Sequence, residues 1–228
     1  MKILAVETST FVGSIALIED GKLLTEHQME IKATYSDTLF PLIDRALQGV
    51  SISIHEIDGY AIAIGPGSFT ALRIGLTVIK GLALASGKPM VGIPSLDGLA
   101  HNFCCSDLMI CPILDARKGE VYTAFYKREN GHVLKKLTPD RVVDPKILLD
   151  EIGEEVIFLG DGIDVYRDLI KSKLKDNAFF APLHLKYPKA SSIAQLALGK
   201  FENNEVMDCN VTSPIYVRMP EAEVNYHP

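Results

Sequence analysis

The chain repeats its own grammar after roughly 108 residues, and that echo limits what it can fold into more than any other feature. The opening reads as three strands, Ile3 to Val6, Ser14 to Ile18 and Leu23 to Glu30, with Glu19-Asp20-Gly21-Lys22 as a hairpin turn. From residue 109 the pattern returns as Met109 to Leu114, Glu120 to Lys127 and, after the turn Glu129-Asn130-Gly131-His132, Val133 to Leu137. An acidic residue, Glu7 or Asp115, ends the first strand each time. A separation this long predicts a duplicated domain, not a short-period solenoid.

Helices and further strands follow each opening. In the first half a helix is expected over Ser36 to Leu47, with Pro41 as a kink position, then a strand from Gly59 to Ile64. In the second half the pattern predicts helices at Pro145 to Glu151, Ile163 to Lys173 and Ala190 to Phe201, and a strand at Val156 to Leu159. Two such repeats make an α/β fold with a mixed sheet in each half. This is the outline of the actin-like ATPase fold, a duplicated ribonuclease-H-like domain with a nucleotide cleft between its lobes. Residues 1–106 and 205–228 are assigned to the N-terminal lobe and 107–204 to the C-terminal lobe.

Gly65-Pro66-Gly67-Ser68 joins the strand before it to a long apolar segment that stops at Ser86-Gly87-Lys88-Pro89. At roughly 100° per residue, Leu72, Leu76, Ile79 and Ala83 form one stripe, and Ala71, Ile74, Val78, Leu82 and Ala85 a second. Thr70, Arg73, Thr77 and Lys80 share the remaining wedge. Two stripes are expected either of a helix completely buried inside its domain or of one with a face kept for another chain. Gly75, Gly81 and Ala71 favour close helix-to-helix contact.

The chemistry the chain could carry is sparse. In a duplicated fold Glu7 and Asp115 end equivalent strands facing the cleft, where carboxylates hold Mg²⁺, and Thr8, Ser9 and Thr10 offer hydroxyl and N–H groups to a phosphate. The same residues could simply close a hairpin. Ala116-Arg117-Lys118-Gly119 lacks a Gly-Gly phosphate turn, and Leu159-Gly160-Asp161-Gly162 reads as a strand-to-helix connection more readily than an adenosine contact. Gly65-Pro66-Gly67-Ser68 could cradle an anion but lacks the Lys-Ser/Thr ending of a Walker A loop. No HExxH, histidine pair, GxSxG elbow or paired cysteine spacing is present. Cys104, Cys105, Cys111 and Cys209 read as reduced core residues, and the start of the chain shows no export signal. A net charge of −6 argues against autonomous nucleic-acid binding. A soluble cytoplasmic protein with no membrane association is expected.

Five segments resemble one family over essentially the whole chain. They are Leu4-Ala5-Val6-Glu7-Thr8-Ser9-Thr10, the run from Gly65 to Gly75, Pro94-Ser95-Leu96-Asp97-Gly98-Leu99-Ala100, Leu114-Asp115-Ala116-Arg117 with Glu120-Val121-Tyr122, and Pro214-Ile215-Tyr216-Val217-Arg218. The chain resembles the TsaB (YeaZ) proteins of bacterial threonylcarbamoyladenosine synthesis, with Glu7 where aspartate is usual and Ala71 where glycine is usual. The resemblance implies a non-catalytic subunit that pairs with its paralogue TsaD and works with the ATPase TsaE. That complex transfers a threonylcarbamoyl group to the adenosine next to the anticodon in tRNAs reading codons that begin with A. It implies no tightly bound cofactor in this chain, with ATP and metal on the partners and tRNA met indirectly. It also implies a partner or homodimer interface on the helix after the glycine-rich loop, at Ala71, Ile74, Gly75, Val78 and Leu82. Glu7, Thr8, Ser9 and Asp115 would be remnants of a nucleotide cleft. The alternative is a free-standing ATP-dependent small-molecule kinase of the actin-like fold.

Overall fold

The computed structural model describes residues 1–31, 34–131 and 133–218. His132, His227 and positions 219–228 of the expected 205–228 segment lie outside the described residues. The chain forms two compact units, Met1–Asn102 with Tyr187–Pro214, and Phe103–Lys186 with Ile215 onward.

The first unit is built on β1 (Lys2–Glu7), β2 (Val12–Glu19), β3 (Lys22–Glu30), β4 (Gly59–Ala63) and β5 (Met90–Ile93), in the order β3-β2-β1-β4-β5. β1, β2 and β3 pair antiparallel as a meander, and β4 and β5 add in parallel through helical crossovers. Alternation along the strands sends Leu4, Val6, Ile15, Leu17, Tyr60 and Ile62 to one face. That face is covered by α1 (Tyr35–Gly49), which continues through Pro41, and α2 (Phe69–Ser86).

The opposite face carries Ile3, Ala5, Ala16, Ala61, Ala63 and Val91. Its alanines leave room for a helix to approach closely, and the helix that does so comes from far along the chain. After α3 (Ser95–His101) and the whole of the second sheet, a later helix (Ala190–Glu202) seats Ala190, Ile193, Ala194 and Ala197 on that face. A side chain at Gly98 would sit 2.4 Å from Ile193 Cδ1. The expected assignment of 107–204 to the second lobe is therefore corrected at its end. The Ala190–Glu202 helix belongs with the first sheet because α1 and α2 cover only one side of it. Beyond that helix, Met207 N–H donates to Met90 O at 2.8 Å and Lys80 Nζ to Thr212 O at 3.0 Å, keeping 205–214 on the first unit. Residues 215–218 group instead with the second, which also departs from the expected boundary.

The second unit repeats the plan with β6 (Met109–Asp115), β7 (Val121–Thr123), β8 (Tyr126–Asn130), β9 (Val133–Lys136), β10 (Arg141–Val143), β11 (Val156–Leu159) and β12 (Ala178–Phe180). The order is β10-β7-β6-β11-β12, with β8 pairing β6 and β9. The single strand expected over Glu120 to Lys127 is two. The ladder breaks at Ala124-Phe125, where Phe125 N–H turns to Thr138 Oγ1 at 2.9 Å and its carbonyl accepts Leu137 N–H at 2.7 Å. α4 (Pro145–Asp150) begins under an Asp144 cap with proline in its first turn, α5 (Gly162–Leu174) follows β11, and α6 (Leu183–Lys186) precedes α7, the Ala190–Glu202 helix already described. The short elements β10, β12 and α6 have no counterpart in the sequence reading.

By length and composition α2 is apolar enough to cross a membrane. Its apolar side is occupied otherwise, because Leu72, Leu76, Val78, Ile79 and Ala83 are buried and Leu76, Val78, Ile79 and Ala83 lie in the core over the first sheet. None of the four cysteines is bridged, and only Cys111 is buried. Cys104 and Cys209 are half-buried and Cys105 is exposed, which corrects the expectation that all four are core residues.

Candidate functional site

The turn between β1 and β2 is locked onto the start of α2. Glu7, at the end of β1, accepts a hydrogen bond from Ser9 N–H through Oε1, so the turn closes on its own carboxylate. Ser9 O accepts Ser68 N–H at 2.7 Å. A side chain at Gly67 would stand 2.3 Å from Ser9 O, and one at Gly75 would stand 2.3 Å from Thr8 Oγ1. These two glycines let α2 lie directly against the turn, a close approach any Cβ would prevent. Ser95 fixes the loop from the other side, where its Oγ accepts Gly65 N–H at 3.1 Å and its own N–H donates to Gly65 O at 2.8 Å. Tyr35 packs over Gly13 and donates its hydroxyl to Thr10 O at 2.7 Å.

The electrostatics of this turn are unusual. Glu7, Thr8, Ser9 and Thr10 are all buried. Glu7 Oε2, Thr8 Oγ1 and Ser9 Oγ have no hydrogen-bond partner among the described residues. Burial pushes the Glu7 carboxyl up to about 7, opposed by the Ser9 hydroxyl beside it and the Ser9 N–H bond. The hydroxyl favours the ion by proximity, since it makes no bond of its own by geometry. Tyr35 is also raised, by burial first and by the Glu7 charge second.

In the second unit Asp115 ends β6 as Glu7 ends β1, but its surroundings differ. Asp115 N–H donates to Asp161 Oδ1 at 2.9 Å, and its carboxylate accepts Arg117 N–H at 2.8 Å and pairs with the Arg117 guanidinium at 3.1 Å. Arg117 and Lys118 take left-handed backbone conformations, with φ of 61° and 55°. Arg218 clasps this hairpin by donating to Ala116 O at 2.7 Å and pairing with Glu120. Burial raises Asp161 to about 6, with the Asp115 N–H bond opposing. Leu159-Gly160-Asp161-Gly162 is the strand-to-helix connection, pressed against β6 so tightly that a side chain at Gly160 would meet Ile113 O at 2.1 Å.

The two turns differ in how far their polar groups are already engaged. The Ser9 N–H and carbonyl are both engaged, Thr8 Oγ1 lies against Gly75 of α2, Thr10 Oγ1 donates to Val12 O at 3.1 Å, and Glu7 has a raised affinity for a proton. Asp115 is engaged by Arg117. Among the described residues no three His, Cys, Asp or Glu side chains converge as a metal-ligating group.

The residues expected at a partner interface divide in two. Ala71, Gly75 and Val78 are buried within the chain, and Val78 belongs to the core over the first sheet. Ile74 and Leu82 are half-buried. The outward side of α2 is rotated from the expected stripe and carries Thr70, Arg73, Thr77, Gly81, Leu84 and Ala85 beside Ile74. A side chain at Gly81 would meet nothing within 4 Å. Periodicity predicted two apolar stripes, but the arc buried by a sheet and a neighbouring helix is wider than one stripe and took in Ala71 and Val78 of the second. Tyr35, Ser95, Asp161 and Arg218 are the site residues the sequence reading gave no role. Ser95 and Arg218 fall in segments that carry the family resemblance and Asp161 in the connection after β11, but nothing in spacing ties Ser95 to Gly65, Asp161 to Asp115 or Arg218 to Glu120.

Two mixed sheets, each opening with antiparallel strands and extended by parallel ones, define the actin-like fold. The chain matches the family model described as TsaD: tRNA N6-adenosine threonylcarbamoyltransferase over residues 29–226. It is 32% identical to the tRNA threonylcarbamoyladenosine biosynthesis protein TsaB of Bacillus subtilis (strain 168), over 99% of this chain and 98% of that protein. It is 27% identical to the protein of the same description from Escherichia coli (strain K12), over 96% and 95%. Among solved structures it superposes on YeaZ from Pseudomonas aeruginosa with a TM-score of 0.80 and 24% identity, covering 94% of this chain and 100% of that one. The chain belongs to the TsaD-like family and, within it, to the TsaB (YeaZ) proteins.

Proposed function

We propose that this chain acts in tRNA threonylcarbamoyladenosine biosynthesis as a non-catalytic, cytoplasmic subunit that docks on a TsaD paralogue. TsaE joins through the complex, and tRNA is met through the partner, in keeping with a net charge of −6. ATP and metal belong to the partners. The observation that carries the reading is the division of labour in α2. Its inner side, through Gly67 beside it and Gly75 within it, seals the turn that would otherwise receive a phosphate, and its outer side exposes Leu84, Ala85, Thr77 and a bare Gly81. Small residues at the centre of such a face let a second helix come close, and flanking apolar side chains supply the area it buries.

Gly81→Arg isolates this surface. Gly81 is open on the chain itself, and replacing glycine inside a helix raises helix propensity by about 0.5–1 kcal/mol, so the variant is expected to remain folded. Affinity for the TsaD paralogue is expected to fall by at least about tenfold, since an arginine at the centre of a helix pair holds the backbones apart. Leu84→Asp, at a residue 58% exposed, is expected to act in the same direction. Co-elution of both variants with the paralogue at unchanged affinity would sink the proposed interface. The same variants report on a homodimer, whose sedimentation they would shift to monomer.

The kinase alternative requires the β1–β2 turn to open. Isothermal titration of the isolated chain with Mg-ATP is expected to show no binding, and micromolar affinity would restore that alternative in place of the subunit role.

A further inference from the structure

We infer that Cys104 and Cys105 form a peroxide-sensitive vicinal dithiol, a modification site that closes to a disulfide between neighbouring residues and reopens with a thiol reductant. Three observations place it. Ser106 N–H donates to Phe103 O at 2.8 Å, which puts the two cysteines at the central positions of a tight turn. Their sulfurs are 4.0 Å apart. On an extended strand neighbouring side chains point to opposite faces, so the turn is what brings the thiols together. Finally, the two differ in access, with Cys105 exposed and Cys104 half-buried.

That difference assigns their roles. Burial, and then the hydrogen bond with Cys105, hold the Cys104 thiol above its ordinary range. Cys111 makes a useful contrast, being wholly buried with its thiol pushed up to about 12, and is expected to be inert. Hydrogen peroxide is the oxidant. The Cys105 thiolate attacks one peroxide oxygen, an S–O bond forms as the O–O bond breaks, and the departing hydroxide takes a proton to become water. Cys104 then attacks the Cys105 sulfenic sulfur. The S–S bond forms as the S–O bond breaks, and the second oxygen leaves as water with the Cys104 proton. Two thiols are oxidised and one peroxide is reduced to two waters.

Covalent geometry makes the bridge labile. Neighbouring Cα atoms are about 3.8 Å apart across a trans peptide, shorter than the roughly 4.4–6.8 Å of ordinary disulfides. A bridge formed under that constraint is strained and easily reduced, which suits a reversible mark better than a structural staple. The turn lies where the chain first passes from one compact unit to the other, between Asn102 and β6.

The test uses the full chain treated with hydrogen peroxide, then denatured, alkylated with iodoacetamide and digested, with fragment spectra assigning each cysteine. The expected product is lighter by two hydrogens across Cys104-Cys105, with neither alkylated, while Cys111 and Cys209 carry the alkyl group. Dithiothreitol before alkylation is expected to return both thiols, and Cys105→Ser to leave Cys104 fully alkylated. Alkylation of both residues after peroxide, a sulfinic acid at Cys105 beside an alkylated Cys104, or a bridge from either to Cys209 or to a second copy would each overturn the inference.

Discussion

Gly67→Ala is expected to destabilise the protein by about 3 kcal/mol, a large effect for the addition of one methyl group. The added carbon would stand 2.3 Å from the Ser9 carbonyl oxygen and 2.7 Å from Ser9 Cβ. The first of these is a backbone atom that cannot rotate away. Relief requires the β1–β2 turn to separate from α2, which breaks the 2.7 Å bond from Ser68 N–H to Ser9 O and leaves a buried carbonyl unpaired. Urea denaturation of the two proteins side by side measures the difference. Gly81→Ala serves as the control, because open space surrounds that position and the substitution is expected to be neutral or to stabilise by up to about 1 kcal/mol. Equal midpoints for Gly67→Ala and wild type would show that the turn and helix are not locked together as described.

The second large effect belongs to Glu7. Its carboxyl rises from an unfolded value near 4.5 to about 7 in the fold, chiefly through burial. Between those values the folded state holds a proton that the unfolded state releases. Stability from this group is therefore greatest below pH 4.5, falls as pH rises towards 7, and levels off above. The full loss is on the order of 3 kcal/mol. Glu7→Gln keeps an oxygen to accept the Ser9 N–H bond and removes the titration. The gap between variant and wild type is expected to widen in the variant's favour from pH 5 to 7 and stay constant to pH 9. Asp161, raised to about 6 by burial, contributes pH dependence of the same sign in both proteins, so the comparison cancels it. Parallel stability curves for the two proteins across that range would show that Glu7 titrates as an ordinary exposed carboxyl.

Much of the architecture was legible because it is local. Short apolar runs marked β1 and β6, glycine-bearing turns marked the hairpins, and Glu7 and Asp115 did end equivalent strands. What escaped was set by distant packing. Ala190–Glu202 reads as an apolar-faced helix wherever it goes, and nothing in its sequence says that its partner surface is the alanine-rich face of β1, β2 and β4. The same limit explains α2. Its first stripe is buried throughout, but the burial of Val78 and Ala71 from the second depends on how α1 and the first sheet approach. At the turn, the residue types Glu7-Thr8-Ser9 were compatible with a phosphate site or a closed hairpin. The close packing of Gly67 and Gly75 against that turn is not something the residue types announce.

The helix that closes the first sheet has a consequence for synthesis. When residues 1–102 have emerged from a ribosome, the meander and its parallel strands are present with one side of the sheet still bare, and that side is finished only by residues beyond 190. The intervening stretch, Phe103–Lys186, emerges next with all of its strands in hand, and residues 215–218 join it only after the covering helix has been made. The alanine surface of the first sheet therefore stays bare for the time needed to make about ninety more residues, on the order of 5–20 s at usual elongation rates.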